Sequence, residues 1–168
     1  MKYDDASWHS DGDFPADLAP EAGATHIGMY VAWLLLQGMA GEELVDDMKD
    51  ELHALTQRTM TPGQFLLVCD GKFLDDMVND EANAFTLEYY QADDCLYPDD
   101  YIELLADDLP SIYHAADTWE NFDRLAPVIA SAIGAETRGH SVRTARKAGG
   151  VLPESVTISV SDRADQAS

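Results

Sequence analysis

Two histidines and two carboxylates near the start of the chain are the residues best suited to chemistry. His9 closes the run Tyr3-Asp4-Asp5-Ala6-Ser7-Trp8-His9, and His26 stands at the head of the first apolar segment. An N-terminal arm folded over that segment brings His9 and His26 together beside Asp4 and Asp5, with Trp8 as a wall. Imidazole and carboxylate are ligands for divalent ions and acid–base groups, so this cluster could form a small ligand or metal pocket. The same side chains could form a hydrogen-bonded staple that fixes the arm to its domain. The spacing admits both readings. The staple is the ordinary outcome, and no resident metal or cofactor is expected.

Acidic doublets recur at Asp4-Asp5, Asp46-Asp47, Asp75-Asp76, Asp93-Asp94, Asp99-Asp100 and Asp107-Asp108. Adjacent side chains on a helix point in different directions, so adjacency alone does not pair carboxylates for catalysis or metal binding. Asp11-Gly12-Asp13 lacks the rest of a calcium loop. The stretch from Asp93 to Asp108 is richer, because Tyr97 and Tyr101 are interspersed among its acids. Tyrosine supplies contact area and carboxylate supplies charge complementarity, the combination that meets a basic protein. Asp93, Asp94, Tyr97, Asp99, Asp100, Tyr101, Asp107 and Asp108 are therefore the candidate partner-binding residues. The alternative is a helix whose tyrosines pack inward.

Signals for catalysis are sparse. There is no Gly-x-Ser-x-Gly elbow and no glycine-rich phosphate loop, and Cys69 lies in apolar surroundings without cations to activate it. No catalytic residue is assigned, and a binding function is expected.

Charge narrows the partner. The chain has 32 acidic and 10 basic residues, a formal charge of -22. Up to Glu136 the counts are 29 acidic and 5 basic, a charge of -24; from Thr137 to Ser168 they are 3 and 5, a charge of +2. Such a body repels nucleic acid and anionic lipid and steers basic partners inward at low salt. Solubility or halophilic adaptation would produce the same surplus. At 168 residues and 46% apolar content the chain supports one domain with a real core. Cys69 and Cys95 read as buried free thiols of a reducing compartment. No secretory core opens the chain, and the longest uncharged apolar run, Ile27 to Ala40, is short of the ~20 residues that span a bilayer. A cytoplasmic protein without membrane contact is expected.

The elements that would position these residues are helical. Residues 1–24 read as an irregular arm that Tyr3, Trp8 and Phe14 pack down. Thr25 is placed as N-cap of a helix from about His26 to Ala40, which has no polar face and should be buried all round. A second helix is expected from Glu42 to Arg58. Thr61-Pro62-Gly63-Gln64 is a capping box opening a short third helix. Further helices are expected at about 79–91 and 98–108. A last one is capped by Thr118 and kinked or split by Pro127. Residues 137–168 read as a flexible basic tail in which only 156–160 alternates like a strand. The expected fold is all-α: one compact, irregular bundle of about six helices around a buried central helix, spanning 1–136.

The run Tyr3-Asp4-Asp5-Ala6-Ser7-Trp8-His9, then Asp13-Phe14-Pro15 and Ala24-Thr25-His26-Ile27-Gly28-Met29-Tyr30, resembles an uncharacterised family of small bacterial proteins. Thr61-Pro62-Gly63-Gln64-Phe65, Asn83-Ala84-Phe85 with Tyr89-Tyr90, and Asp117-Thr118-Trp119-Glu120-Asn121 continue the likeness over roughly 3–130. Where that pattern carries a glycine before Asn83, this chain has Ala82. The resemblance implies an association with bacterial toxin loci, whose small acidic immunity proteins act by occluding a toxin. It carries over no active-site residues. The combined expectation is an immunity-type protein that neutralises a cognate, basic toxin by covering its active or substrate-binding surface. A small-ligand or metal-dependent enzyme built around Asp4, Asp5, Trp8, His9 and His26 is the alternative.

Overall fold

The computed structural model describes residues 1–10, 12, 14–92 and 96–137. The expected tail beyond Thr137, the alternating segment within it, and Asp93, Asp94 and Cys95 lie outside the described residues.

The fold is organised around α1 (Thr25–Leu36), in which every residue from Thr25 to Leu35 is buried. A helix with no polar face needs neighbours on all sides, and these follow from the rest of the chain. α4 (Pro62–Val68) packs closest. Gly28 makes that approach possible: a Cβ there would come within 2.5 Å of the Pro62 carbonyl oxygen and 2.8 Å of Gly63 Cα. The capping box is present, with Thr61 and Gln64 bonding each other's backbone amides across the first turn of α4. Thr25 does not cap α1. A 3-10 turn over Pro20–Ala24 leads straight into the helix, and Ala24 is already helical at φ −84°, ψ −16°.

The expected helix over 42–58 is two: α2 (Glu42–Asp47) and α3 (Lys49–Thr56), broken at Met48, whose φ of −122° and ψ of 41° leave the helical region. α5 (Asp80–Tyr89) is capped by the Asn79 side chain, which accepts from the Ala82 amide at 3.0 Å. Phe85 and Tyr89 stack one turn apart, centroids 5.0 Å. α6 (Tyr97–Tyr101) continues into a π-helical turn over Ile102–Ala106. α7 (Trp119–Thr137) carries through Pro127 as one helix rather than splitting there.

The protein is mostly helical, but it is not all-α. β1 (Lys2–Asp5) pairs antiparallel with β2 (Lys72–Leu74), with Asp4 opposite Phe73 and Asp5 opposite Lys72. The Ala6 amide continues the ladder to the Gly71 carbonyl at 2.8 Å. The arm is therefore ordered as a strand followed by a 3-10 turn, Ala6–His9. Strands this short show no period of two, so only the completed fold reveals their pairing.

Aromatic rings fill the space between α1 and its neighbours. Tyr30, at the middle of α1, lies 4.8 Å from the ring of Tyr90 and 4.9 Å from that of Tyr97. Buried phenols need partners for their hydroxyls, and that of Tyr90 finds its partner in the arm, at Asp4.

Candidate functional site

β1 delivers Asp4 to the inside of the arm, and the turn after it brings His9 back over the strand. That turn is held by Asp5, whose side chain accepts from the Ser7 amide at 3.0 Å. His9 Nε2 then lies 2.8 Å from Asp4 Oδ1. The same oxygen accepts from the Asp5 amide at 2.7 Å, and Asp4 Oδ2 accepts from the Tyr90 hydroxyl at 2.6 Å. On the far side of the imidazole, His9 Nδ1 is 3.1 Å from the Tyr113 hydroxyl. His26, in the first turn of α1, meets the His9 ring edge-on, with centroids 4.5 Å apart. The rings of Tyr101 and Tyr113 stand 6.1 and 6.0 Å from that of His26. One ligand atom from each of Asp4, His9 and His26 falls within 4.8 Å of the others.

Electrostatics follow from burial. Asp4 and His26 are each 8% exposed, and His9 is half-buried. Burial pulls the His26 pKa down to about 4, and His9 adds to that while Asp4 opposes it. His26 is thus a neutral imidazole at neutral pH. Burial alone would raise the Asp4 carboxyl, but the hydrogen bonds from His9, Tyr90 and the Asp5 amide, with the charge of His9, hold it below the usual range.

Two of the five candidate pocket residues turn away. Asp5 pairs with Lys2 at 2.7 Å and with the Ser7 hydroxyl at 2.6 Å, and its pKa falls to about 2 through those partners. Trp8 is 57% exposed, with the Lys2 ammonium 4.5 Å above its ring, so it does not wall a pocket. Of the two residues that hold the cluster from the other side, Tyr90 stands in the Tyr89-Tyr90 pair of the family-like pattern but nothing in the sequence ties it to Asp4, and Tyr113 carries no motif.

Beside the cluster lies a cleft of about 410 Å³ that shares Tyr113 with it and is also lined by Thr25, Gly63, Gln64 and Asp117. Asp117 reaches across this end of the molecule to α4, accepting from the Thr61 hydroxyl and from the Gly63 amide at 3.0 Å.

The candidate partner-binding residues divide by burial. Tyr97 and Tyr101 are each 1% exposed and Asp100 is 4% exposed. The Tyr97 hydroxyl donates to the His26 carbonyl at 2.5 Å, and Asp100 accepts from the Tyr89 hydroxyl at 2.6 Å. These three side chains are buried in the core rather than displayed on the surface, the inward packing that was the alternative reading of this stretch. Asp99, Asp107 and Asp108 are exposed. Beside them Ile102 and Leu109 are exposed too.

Among the described residues no helix is long and apolar enough to cross a membrane. The chain belongs to the family described as a domain of unknown function (DUF7832), which matches residues 2–115 and so spans both the histidine cluster and the α6 region. No curated protein and no solved structure matches the chain.

Proposed function

We propose that this protein is an immunity-type binding protein that neutralises a cognate, basic bacterial toxin by covering its active or substrate-binding surface. The observation that supports it best is the outer face of the α6 region. Within this stretch Asp99, Asp107 and Asp108 present exposed carboxylates, and Ile102 and Leu109 present exposed aliphatic side chains. None of the three acids is in an ion pair with a described residue. The described cations are largely committed elsewhere: Lys2 to Asp5, Lys49 to Asp46, Arg58 to Asp123 and Lys72 to Asp70. A body of charge -24 with so little internal compensation attracts a basic partner over distance, and the apolar pair gives it dry contact area. Occlusion needs no catalytic group on the inhibitor.

The test begins with a pull-down from the native cell extract, with bound proteins identified by mass. A basic partner that is toxic when expressed alone, and harmless when co-expressed with this protein, is the expected result. With the purified pair, the triple variant D99K/D107K/D108K should slow association about tenfold or more at low salt and flatten its salt dependence. An affinity and salt slope unchanged by that variant overturn the proposed face. A protein that rescues no toxic partner overturns the function.

A further inference from the structure

We propose that Asp4, His9 and His26 form a binding site for a divalent transition ion of the zinc class, with three protein ligands and an open coordination position. A tetrahedral ion bound at ~2.0–2.2 Å needs ligand atoms roughly 3.3 Å apart. Asp4 Oδ1 and His9 Nε2 are already 2.8 Å apart, and an atom of His26 lies within 4.8 Å of both. Closing the site takes side-chain adjustment within one cluster and no rearrangement of the fold.

The surrounding contacts are those a metal site requires. A ligating histidine is oriented by a hydrogen bond from its other nitrogen, and a ligating carboxylate by donors to its oxygens. His9 has Tyr113 at Nδ1, and Asp4 has Tyr90 at Oδ2 and the Asp5 amide at Oδ1. His9 can carry its proton on either nitrogen. On Nε2 the proton is donated to Asp4; on Nδ1 it is donated to the Tyr113 oxygen, which frees the Nε2 lone pair for an ion.

A staple explains less of this arrangement. Joining the arm to the domain needs only Asp4, His9 and the two tyrosines. It gives no part to His26, whose ring is buried against His9 and is hydrogen-bonded by none of the described residues. A buried imidazole with no ring hydrogen bond to the described residues, edge-on to a second imidazole and beside a carboxylate, completes a ligand set of two nitrogens and one oxygen. That set suits zinc and its neighbours rather than calcium or magnesium, which take oxygen. The proposal is independent of toxin binding, and either can fail alone.

The full chain, stripped with chelator, should be titrated with Zn²⁺ by calorimetry and with Co²⁺ by visible absorption. One equivalent should bind, with a tetrahedral or five-coordinate Co²⁺ spectrum displaced by Zn²⁺. Asp4→Asn, His9→Gln and His26→Gln should each weaken binding at least tenfold, whereas His53→Gln and His114→Gln leave it unchanged. Because His26→Gln alters the core, the unmodified protein supplies a second readout. On adding Zn²⁺, the ring nitrogen resonances of His9 and His26 should shift while those of His53 and His114 stay. Absence of saturable binding overturns the site, as does binding carried by other histidines or insensitive to the three substitutions. The cluster is then a staple.

Discussion

Tyr90, at the end of α5, donates its hydroxyl to Asp4 Oδ2 at 2.6 Å, inside the domain and across 86 positions of sequence. This bond ties the arm to the far side of the core. It sits where an unpartnered carboxylate would be costly, since Asp4 is 8% exposed. Tyr90→Phe keeps the ring and its packing against Tyr30 and Tyr97 but removes one donor from Asp4. The expected loss is about 1–3 kcal/mol. Urea unfolding should show a lower midpoint with an unchanged slope, because the surface exposed on unfolding is the same. Tyr3→Phe, which breaks a half-buried bond to Asn83, should cost less, about 1 kcal/mol.

Acid should unfold the metal-free protein in two overlapping stages. His26 has a folded pKa near 4, below the ~6.5 of an unfolded histidine. The unfolded chain therefore binds the proton first, so the contribution of His26 is complete above about pH 6.5 and is lost as pH falls toward 4. Asp5 has a folded pKa of about 2, below the ~3.9 of an unfolded aspartate. Its contribution is complete above the unfolded value and is lost as pH falls further toward 2. Stability measured by denaturant between pH 7 and 3, with chelator present, should fall continuously. His26→Gln should remove the slope between pH 6.5 and 4, and Lys2→Met should weaken the slope below 4. A wild-type profile flat from pH 7 to 4.5 would contradict the burial of a neutral His26.

Glycine substitutions should separate packing from backbone strain. At Gly28 an added Cβ meets backbone of α4 at 2.5–2.8 Å, so Gly28→Ala forces α1 and α4 apart. At Gly38 an added Cβ meets nothing, but the backbone has φ +80°. Gly28→Ala should cost about 3 kcal/mol or more, as overpacking in a core does at its upper end. Gly38→Ala should cost about 1–2 kcal/mol from the left-handed backbone alone. Thermal unfolding of the two variants side by side checks the ranking.

What could be read from the sequence was local. α1 shows itself because it is apolar on every face, the start of α4 because the Thr61–Gln64 box is a four-residue pattern, and α5 because Phe85 and Tyr89 fall one helical turn apart. What could not be read was relational. β1 and β2 are too short to alternate and lie on either side of four helices. The break at Met48 interrupts a regular apolar series, Leu44, Met48 and Leu52, that reads as one helix; in the fold Met48 Sδ contacts Cys69 Sγ at 3.6 Å. Tyr97 and Tyr101 share a helix face by their spacing, but only the position of Tyr30 and His26 decides that this face is inward. The convergence of Asp4, His9 and His26 was foreseeable from an arm folding over α1. That Asp5 and Trp8 face Lys2 rather than the cluster is relational too, since Lys2 binds one and lies over the other.

Arg58 offers a case in which two effects oppose. It has a left-handed backbone at φ 57°, unusual for a residue with a side chain. Its guanidinium makes two bonds of 2.7 Å to Asp123 and lies 4.6 Å over the ring of Trp119, so it links the end of α3 to α7. The ion pair is half-exposed, which limits it to about 1 kcal/mol or less, and the cation–π contact adds about 0.5–1 kcal/mol. Arg58→Ala loses both contacts and keeps the strained backbone. Arg58→Gly loses both but relieves strain of about 1 kcal/mol. Glycine should therefore be the milder substitution, with a midpoint of unfolding above that of alanine and close to wild type in high salt, where the ion pair is screened. If alanine proves milder, the left-handed conformation at Arg58 carries no strain and the contacts to Asp123 and Trp119 alone explain the position.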